Sequence, residues 1–217
     1  MVSGYGNARG THFLRPPLEG RSPLNVEDRV LATRASQGDV EAFTKLVEVH
    51  SSLVYRVALR MLGHVEAQDA SQEVWIRVWR NIKNFRRESA FSTWLYRIAM
   101  NTCLNIRGRE SRREDREVDG ERAHLSESSG GEADPEAATL SAERRDEIQV
   151  ALQHVRAEHR AALVLRHMEG LSYAEIAAVL EVPDGTAKGW VSRGRAAMLV
   201  ALAEEDSGRR RAEGAFE

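Results

Sequence analysis

The stretch LSYAEIAAVLEVPDGTAKGWVSRGRAAML, residues 171–199, carries the clearest local structural signal in this chain. Ser172 followed by Glu175 fits a capping box, in which a hydroxyl and a carboxylate each bond a backbone group at a helix start. Residues 182–183 form a short connection, and Asp184 is expected to cap the next helix. The stretch therefore predicts two short helices joined by a tight turn.

The second helix is predicted to have an apolar inner side and a basic outer side. The inner stripe is Ala187, Val191, Gly194 and Met198; Lys188, Ser192 and Arg195 face outward, flanked by Thr186 and Arg193. Such a pair can place its second helix in a major groove, whereas the alternative is a helical hairpin with a solvated basic face. Since a glycine costs roughly 1 kcal/mol relative to Ala inside a helix, Gly189 and Gly194 predict close backbone approach.

Upstream of this stretch, three longer helices are predicted from apolar residues at three-to-four spacing. The first spans residues 39–62 and stops at Gly63, the second spans 66–82, and the third spans 92–107 with Ser92 as its N-cap. No alternation typical of strands has a useful length. The predicted fold class is therefore all-α, with two small helical domains joined by a flexible acidic linker.

Composition divides the chain into five segments. Residues 1–25 are rich in Gly, Pro and Arg and predict a disordered N-terminal tail, and residues 26–110 predict the first helical domain. Residues 111–139 predict a flexible acidic linker, 140–203 the helix-turn-helix domain and 204–217 a C-terminal tail.

Charge is distributed unevenly along the chain. The total of 31 Lys and Arg against 33 Asp and Glu gives −2, which by itself argues against a nucleic-acid partner. Residues 83–113, however, hold eight basic residues and two acids, a balance of +6, and residues 114–140 hold nine acids and two arginines, a balance of −7. A basic block beside an acidic one indicates charged partners better than the total does.

The single cysteine, Cys103, excludes an internal disulfide and suits a reducing compartment. Its apolar helical register predicts a buried small side chain rather than a reactive thiol. The first ten residues lack an apolar signal-peptide core, and no apolar run approaches membrane-spanning length. We therefore expect a cytoplasmic protein without membrane insertion.

Three motifs in order give the chain a family resemblance. They are DASQEVWIRVW (residues 69–79), FRRESAFSTWLYRIAMN (85–101) and LSYAEIAAVLEVPDGTAKGWVSRGRAAM (171–198). With them the sequence resembles a bacterial RNA polymerase sigma factor of the extracytoplasmic-function (ECF) class of the sigma-70 family. The resemblance covers about residues 26–203 and leaves out both tails and the acidic linker.

The resemblance implies partners rather than a catalytic activity. It implies that the first motif docks on the clamp helices of the polymerase largest subunit, and the matching positions here are Asp69, Gln72, Glu73 and Trp75. It further implies a contact with the flap region of core polymerase, binding to promoter DNA, and restraint by an anti-sigma factor. No cofactor, metal or catalytic residue is expected.

The second motif combines rings and guanidinium groups, which suit separated DNA strands because bases stack on rings and basic grooves hold the backbone. In the resembled family this segment recognises and melts the promoter −10 element, and one loop, 86–90 here, receives a flipped base. The expected contacts are Arg86, Arg87, Ser92, Thr93, Trp94, Arg97 and Asn101. Phe91 and Leu95 are expected in the core, Trp94 in either role, and Tyr96 stays open.

The third motif is expected to read the −35 element through phosphates and base edges. The candidate contacts are Thr186, Lys188, Trp190, Ser192, Arg193 and Arg195. The resembled family commonly has a small or polar residue followed by Arg at 189–190, a His at 192 and a Gly at 181. The departures here leave the −35 base preference open, and Trp190 can meet either a thymine methyl or a protein.

The alternatives to a sigma factor are an enzyme and a stand-alone DNA-binding regulator. An enzyme is disfavoured because His154, His159 and His167 do not share a helix face with a matching carboxylate, and no phosphate-binding loop or nucleophile elbow is present. A stand-alone helix-turn-helix regulator would not need the first two motifs. The acidic linker is either a solvated spacer or a segment that screens basic surfaces before polymerase binding.

Overall fold

The computed structural model describes residues 26–85, 89–114 and 135–213, and this part of the chain folds into eight α-helices without a strand. The all-α prediction is confirmed. The first group contains α1 (Val26–Ser36), α2 (Val40–Leu62), α3 (His64–Asn81) followed by a 3₁₀ turn (Ile82–Asn84), and α4 (Phe91–Glu114). The second group contains α5 (Pro135–Gln153), α6 (Ala157–Leu163) continued by a π-helical turn (Val164–Met168), α7 (Tyr173–Leu180) and α8 (Asp184–Glu213).

The long helix α2 begins and ends where the sequence predicts. The carboxylate of Asp39 caps it by accepting a bond from the Ala42 N–H at 3.0 Å, and it also pairs with Arg34 at the end of α1. These two partners hold the pKa of Asp39 below its usual value. Gly63 ends the helix with a φ of +99°, a conformation that favours glycine because other side chains are strained there.

Helices α2, α3 and α4 pack around a common core. Leu46 of α2 and Val74 of α3 are fully buried within it. Phe91 and Leu95 of α4 are 3% and 0% exposed, which confirms that they point inward. Cys103 is also buried, and burial raises the pKa of its thiol to about 12, so the thiol stays protonated at neutral pH.

Helices α7 and α8 form the predicted helix-turn-helix. The Ser172 hydroxyl accepts a bond from the Glu175 N–H at 3.2 Å, and the Glu175 carboxylate accepts one from the Ser172 N–H at 2.7 Å, so the capping box is confirmed. Glu181, between the helices, has a left-handed backbone with φ of +56°. That conformation explains why a glycine suits this position in the resembled family.

Gly194 allows α8 to cross α6 at close range. A Cβ at this position would lie 2.7 Å from the carbonyl oxygen of His159 and 3.3 Å from the Cβ of Leu163, which confirms the predicted backbone approach. The same expectation is wrong for Gly189. A Cβ there would first meet the guanidinium of Arg193, at 3.2 Å, so a side chain rather than a backbone takes the space.

Two predicted N-caps lie inside the first turn of their helices. The carbonyl groups of Ala90 and Pro183 accept the first i→i+4 backbone bonds of α4 and α8, so these residues stand at the cap positions in place of Ser92 and Asp184. The Asp184 carboxylate remains in the first turn of α8, where the helix dipole favours negative charge.

Helices also extend further than predicted. Helix α4 ends and α5 starts inside the segment 111–139, which was predicted to be a flexible linker, and Pro135 takes the first position of α5, where proline is favoured. Helix α8 is not short, since it continues to Glu213 through most of the predicted tail 204–217. Its end is rich in Arg, Ala and Glu, which form helices without any apolar periodicity. The predicted tail 1–25 and the middle of the linker lie outside the described residues.

A buried arginine joins the two groups of helices. Arg160 of α6 is only 1% exposed and donates bonds to the carbonyl oxygens of Met61, at the end of α2, and of Gln153. Gln149 of α5 adds a bond from its amide to the carbonyl oxygen of Leu59 at 2.6 Å. Burial lowers the pKa of Arg160 to about 10, so its charge persists at neutral pH. Two carbonyl groups of the last turn of α2, those of Leu59 and Met61, thus accept bonds from side chains of the second group.

Candidate nucleic-acid and partner surfaces

The outer face of α3 carries three of the four residues predicted to bind polymerase. Asp69 and Gln72 are exposed, and Glu73 is partly exposed. Glu73 accepts a bond from the Nε of Arg77 at 2.7 Å, one helical turn further on. The face is polar and acidic, and its one described ion pair runs along the helix surface.

Aromatic residues border this acidic face. Trp75, the fourth predicted residue, is half-buried and packs edge-on against Phe43 of α2 with ring centroids 6.0 Å apart. Ile76 and Trp79 are 45% and 40% exposed, and the Trp79 ring lies 4.7 Å from that of Phe43. These two residues were not predicted. The signal for them is the run VWIRVW, which holds more apolar side chains than one buried stripe of a helix can accommodate.

The rings of the second motif form a cluster at the start of α4. Phe85, Phe91 and Trp94 contact one another with centroid separations of 5.8, 5.4 and 5.8 Å. Phe85 and Phe91 are buried, whereas Trp94 is only half-buried, so Trp94 combines a core role with an accessible edge. The predicted contacts Arg86 and Arg87 lie outside the described residues.

The accessible edge of Trp94 opens into a groove between α3 and α4 with a volume of about 300 Å³. Asn101, a predicted contact, also lines it, together with Asn81 and Asn84 from the end of α3 and its 3₁₀ turn. The latter two amides were missed, and the signal for them is the segment NIKN directly before the ring-rich motif. The structure therefore brings Trp94 and Asn101 together in one groove, next to amides that can donate and accept hydrogen bonds.

The remaining predicted contacts of α4 lie elsewhere. Ser92 and Thr93 are partly exposed in the first turn. Arg97 faces the second group of helices, where it donates a bond to the carbonyl oxygen of Ala178 at 2.8 Å and lies 3.4 Å from the carboxylate of Glu181. In this arrangement Arg97 therefore contacts the helix-turn-helix while 42% of its side chain stays exposed to solvent.

Tyr96, which the sequence left open, belongs to the same contact between the groups. It is buried, and its hydroxyl donates to the carboxylate of Glu169 at 2.7 Å. Arg56 of α2 lies 3.4 Å from the same carboxylate oxygen. A carboxylate of the second group is thus held by two side chains of the first.

The basic side of α8 faces outward, as predicted. Lys188, Ser192, Arg193 and Arg195 are exposed, and Thr186 and Trp190 are partly buried. Ala187, Val191, Gly194 and Met198 are buried on the inner side. Helix α8 can therefore present a basic surface to DNA while its apolar side packs on α6 and α7.

Aromatic side chains from neighbouring helices lie beside two of these cations. The Lys188 ammonium lies 5.8 Å from the ring centroid of Tyr173, and Arg166 lies 4.7 Å from the same centroid. Arg193 donates from Nε to Nε2 of His159 at 3.1 Å. Burial lowers the pKa of His159, and the nearby Arg193 charge lowers it further.

In the part of the chain that the structure describes, no three His, Cys, Asp or Glu side chains come together as metal ligands. None of the helices there is both long and apolar enough to cross a lipid bilayer.

Two family models of known proteins match the segments that carry the α3 face, the groove beside α4 and the outer side of α8. The model described as Sigma-70 region 2 matches residues 46–113, and the model described as Sigma-70, region 4 matches residues 145–198. The chain is 38% identical over 181 residues to the RNA polymerase sigma-H factor of Pseudomonas aeruginosa, covering 81% of this chain and 94% of that protein. It is 37% identical over 177 residues to the ECF RNA polymerase sigma-E factor of Escherichia coli, covering 80% and 93%.

A solved structure shares the fold. The co-crystal structure of the sigma factor RpoE with the anti-sigma factor NepR from Bartonella quintana aligns with a TM-score of 0.55 and 25% identity. The alignment covers 74% of this chain and 96% of that chain.

Proposed function

Because this chain belongs to the ECF class of the sigma-70 family, we propose that its two groups of helices divide promoter recognition between them. The protein binds core RNA polymerase and directs it to promoters, and it is not an enzyme, since the polymerase performs the chemistry. The observation that carries this function is the match of regions 2 and 4, in order, on one chain. A stand-alone helix-turn-helix regulator would account for the second match only.

The proposed polymerase contact is the outer face of α3, directed at the clamp helices of the largest subunit. Asp69, Gln72 and Glu73 supply polar and acidic groups that suit a basic coiled coil. The exposed parts of the Ile76 and Trp79 side chains add apolar surface beside these polar groups. The second group is proposed to contact the flap region of the same enzyme.

The proposed −10 contact is the start of α4 with the groove beside it. Trp94 offers a ring edge for a base, and Asn101 offers an amide to a base edge, because both line the groove. Ser92 and Thr93 stand in the first turn, where hydroxyl and backbone N–H groups suit phosphate oxygens. Arg86, Arg87 and Arg97 are proposed to hold the separated strands.

The proposed −35 contact is the outer side of α8 in a major groove. The exposed cations Lys188, Arg193 and Arg195 can bind phosphates or guanine edges, and Ser192 lies among them. The partly buried Thr186 and Trp190 are proposed to contact DNA at the margin of this surface.

Arg97 links the two promoter contacts, because its Nη2 bonds the Ala178 carbonyl and its Nη1 lies 3.4 Å from Glu181, so a DNA contact competes with these interactions for its N–H groups. Promoter binding is therefore proposed to separate α4 from the helix-turn-helix. A cytoplasmic location and restraint by an anti-sigma factor are part of this proposal, supported by the relative RpoE, which binds an anti-sigma factor. The acidic segment 111–139 is proposed to screen the basic surfaces before polymerase binds.

Run-off transcription with core polymerase tests the function. We expect the purified chain to direct initiation at specific genomic fragments with core enzyme present, and to shift the same fragments weakly in a gel without it. A folded protein that binds duplex DNA tightly alone, and never directs initiation, would instead be a stand-alone regulator.

A further inference from the structure

The direction of the Arg193 guanidinium is set by residues that do not lie on the DNA-facing side of α8. Its Nε donates to Nε2 of His159, on α6, at 3.1 Å. Its Nη1 atom lies where it would be 3.2 Å from a Cβ at position 189, so the side chain folds back over Gly189. The Trp190 ring also lies near His159, with ring centroids 6.4 Å apart.

His159 is itself fixed relative to α8. Its carbonyl oxygen lies only 2.7 Å from where a Cβ of Gly194 would be, so α6 and α8 are in close backbone contact at this residue. The backbone at His159 therefore cannot shift along α8 without separating the two helices. From this held backbone position the ring offers Arg193 an acceptor 3.1 Å from its Nε.

The bond constrains both partners chemically. Because Nε2 accepts it, His159 is neutral and carries its proton on Nδ1. Nε of Arg193 is occupied, and no other side chain in the described part of the chain is bonded to Nη1 or Nη2. These two atoms remain as a fork, and a fork of guanidinium N–H groups can bind O6 and N7 of a guanine.

We propose that His159 is a positioning residue that aims the Nη fork of Arg193 and thereby sets the base preference of this sigma factor at the −35 element. The inference rests on the proposed −35 role of α8. His159 touches no base and acts only through Arg193.

Protonation of His159 breaks the arrangement. An imidazolium has no acceptor at Nε2 and repels the guanidinium. The charged groups that act on the ring are Arg193 from α8 and, from the start of α6, Arg156 and Glu158, which pair with each other at 3.0 Å. Burial and Arg193 hold the pKa of His159 below its ordinary value, so the neutral ring is the form present at neutral pH and is lost on acidification.

The test compares His159→Gln with His159→Leu in the assembled holoenzyme. The two side chains have similar size, but only glutamine offers an acceptor to Nε, and neither titrates. Binding is measured on a matched promoter and on single-base −35 variants. We expect His159→Leu to lose about ten-fold in discrimination at the base that Arg193 reads, whereas His159→Gln retains most of it. The double variant His159→Leu/Arg193→Ala should discriminate between −35 bases no worse than Arg193→Ala alone.

A pH profile gives a second readout, which a purely structural role of His159 would not move. From about pH 7.5 to about pH 5.5, the wild-type discrimination should fall, while that of His159→Gln should stay flat. Two results would refute the role of His159 and leave the proposed −35 role of Arg193 standing. One is equal discrimination by the wild type and His159→Leu; the other is parallel pH profiles of the wild type and His159→Gln. If Arg193→Ala leaves the −35 preference unchanged, the role of Arg193 is wrong as well, and with it this inference. Run-off transcription by each variant reports separately whether the proposed function holds.

Discussion

Replacement of Gly194 by alanine gives the sharpest test of how α8 is seated. The new Cβ would lie 2.7 Å from the carbonyl oxygen of His159 and 3.2 Å from its carbonyl carbon. Relaxed carbon–oxygen contacts need about 3.3 Å, and the obstructing atoms are backbone, which cannot rotate away. Helices α6 and α8 must therefore separate by about 0.6 Å at this contact.

The expected cost follows from two opposing effects. Overpacking of a close contact costs about 1–3 kcal/mol, while alanine gains roughly 1 kcal/mol over glycine in a helix interior. We expect a net loss of about 1 kcal/mol in the free energy of unfolding, or about 2–4 °C in Tm for a chain of this length.

Two glycines of the same helix supply matched controls. A Cβ at Gly185 would meet nothing within 4 Å, so Gly185→Ala should keep or raise stability. A Cβ at Gly189 would meet only the side-chain end of Arg193, which can move by a few tenths of an ångström more easily than backbone, so Gly189→Ala should be close to neutral. Thermal unfolding followed by circular dichroism compares all three with the wild type. A Gly194→Ala protein as stable as Gly185→Ala would show that the α6–α8 contact does not limit the size of this residue.

Three further predictions concern the other surfaces. Glu73→Lys should abolish co-purification with core polymerase while circular dichroism stays unchanged, because it reverses a charge on the exposed face of α3; a folded variant that still co-purifies contradicts that contact. Arg97→Ala should reduce permanganate reactivity of promoter thymines, which reports strand opening. Glu181→Gln removes only the ion pair at 3.4 Å and should not reduce that reactivity. Equal effects of the two substitutions would refute a DNA role for Arg97. Cys103 should resist thiol reagents at neutral pH until the chain unfolds, because burial raises its pKa to about 12; rapid native labelling would contradict that burial.

Features that depend on neighbouring residues in the chain were predictable. The capping box at Ser172, the stop at Gly63 and the inward direction of Phe91 and Leu95 each follow from spacing within a few residues. The requirement for Gly194 was also predictable, because a glycine inside a helix costs stability unless a close contact needs it.

Contacts between distant segments were not predictable. Nothing in the spacing around Arg160 indicates that it reaches the end of α2, about a hundred residues earlier in the chain. The groove amides Asn81 and Asn84 and the His159 partner of Arg193 depend on how helices cross, which periodicity does not encode. The extended end of α8 was missed because helix-forming charged residues leave no apolar pattern.

The bond between Arg97 and the Ala178 carbonyl has a thermodynamic consequence for promoter search. If DNA binding separates α4 from the helix-turn-helix, as proposed above, the free energy that holds α4 against α7 is subtracted from the affinity for DNA. Each 1.4 kcal/mol or so of that energy lowers the apparent affinity about ten-fold. Under that proposal the chain alone should spend little time on DNA, and its occupancy of promoters should depend on a binding partner that prefers the separated conformation.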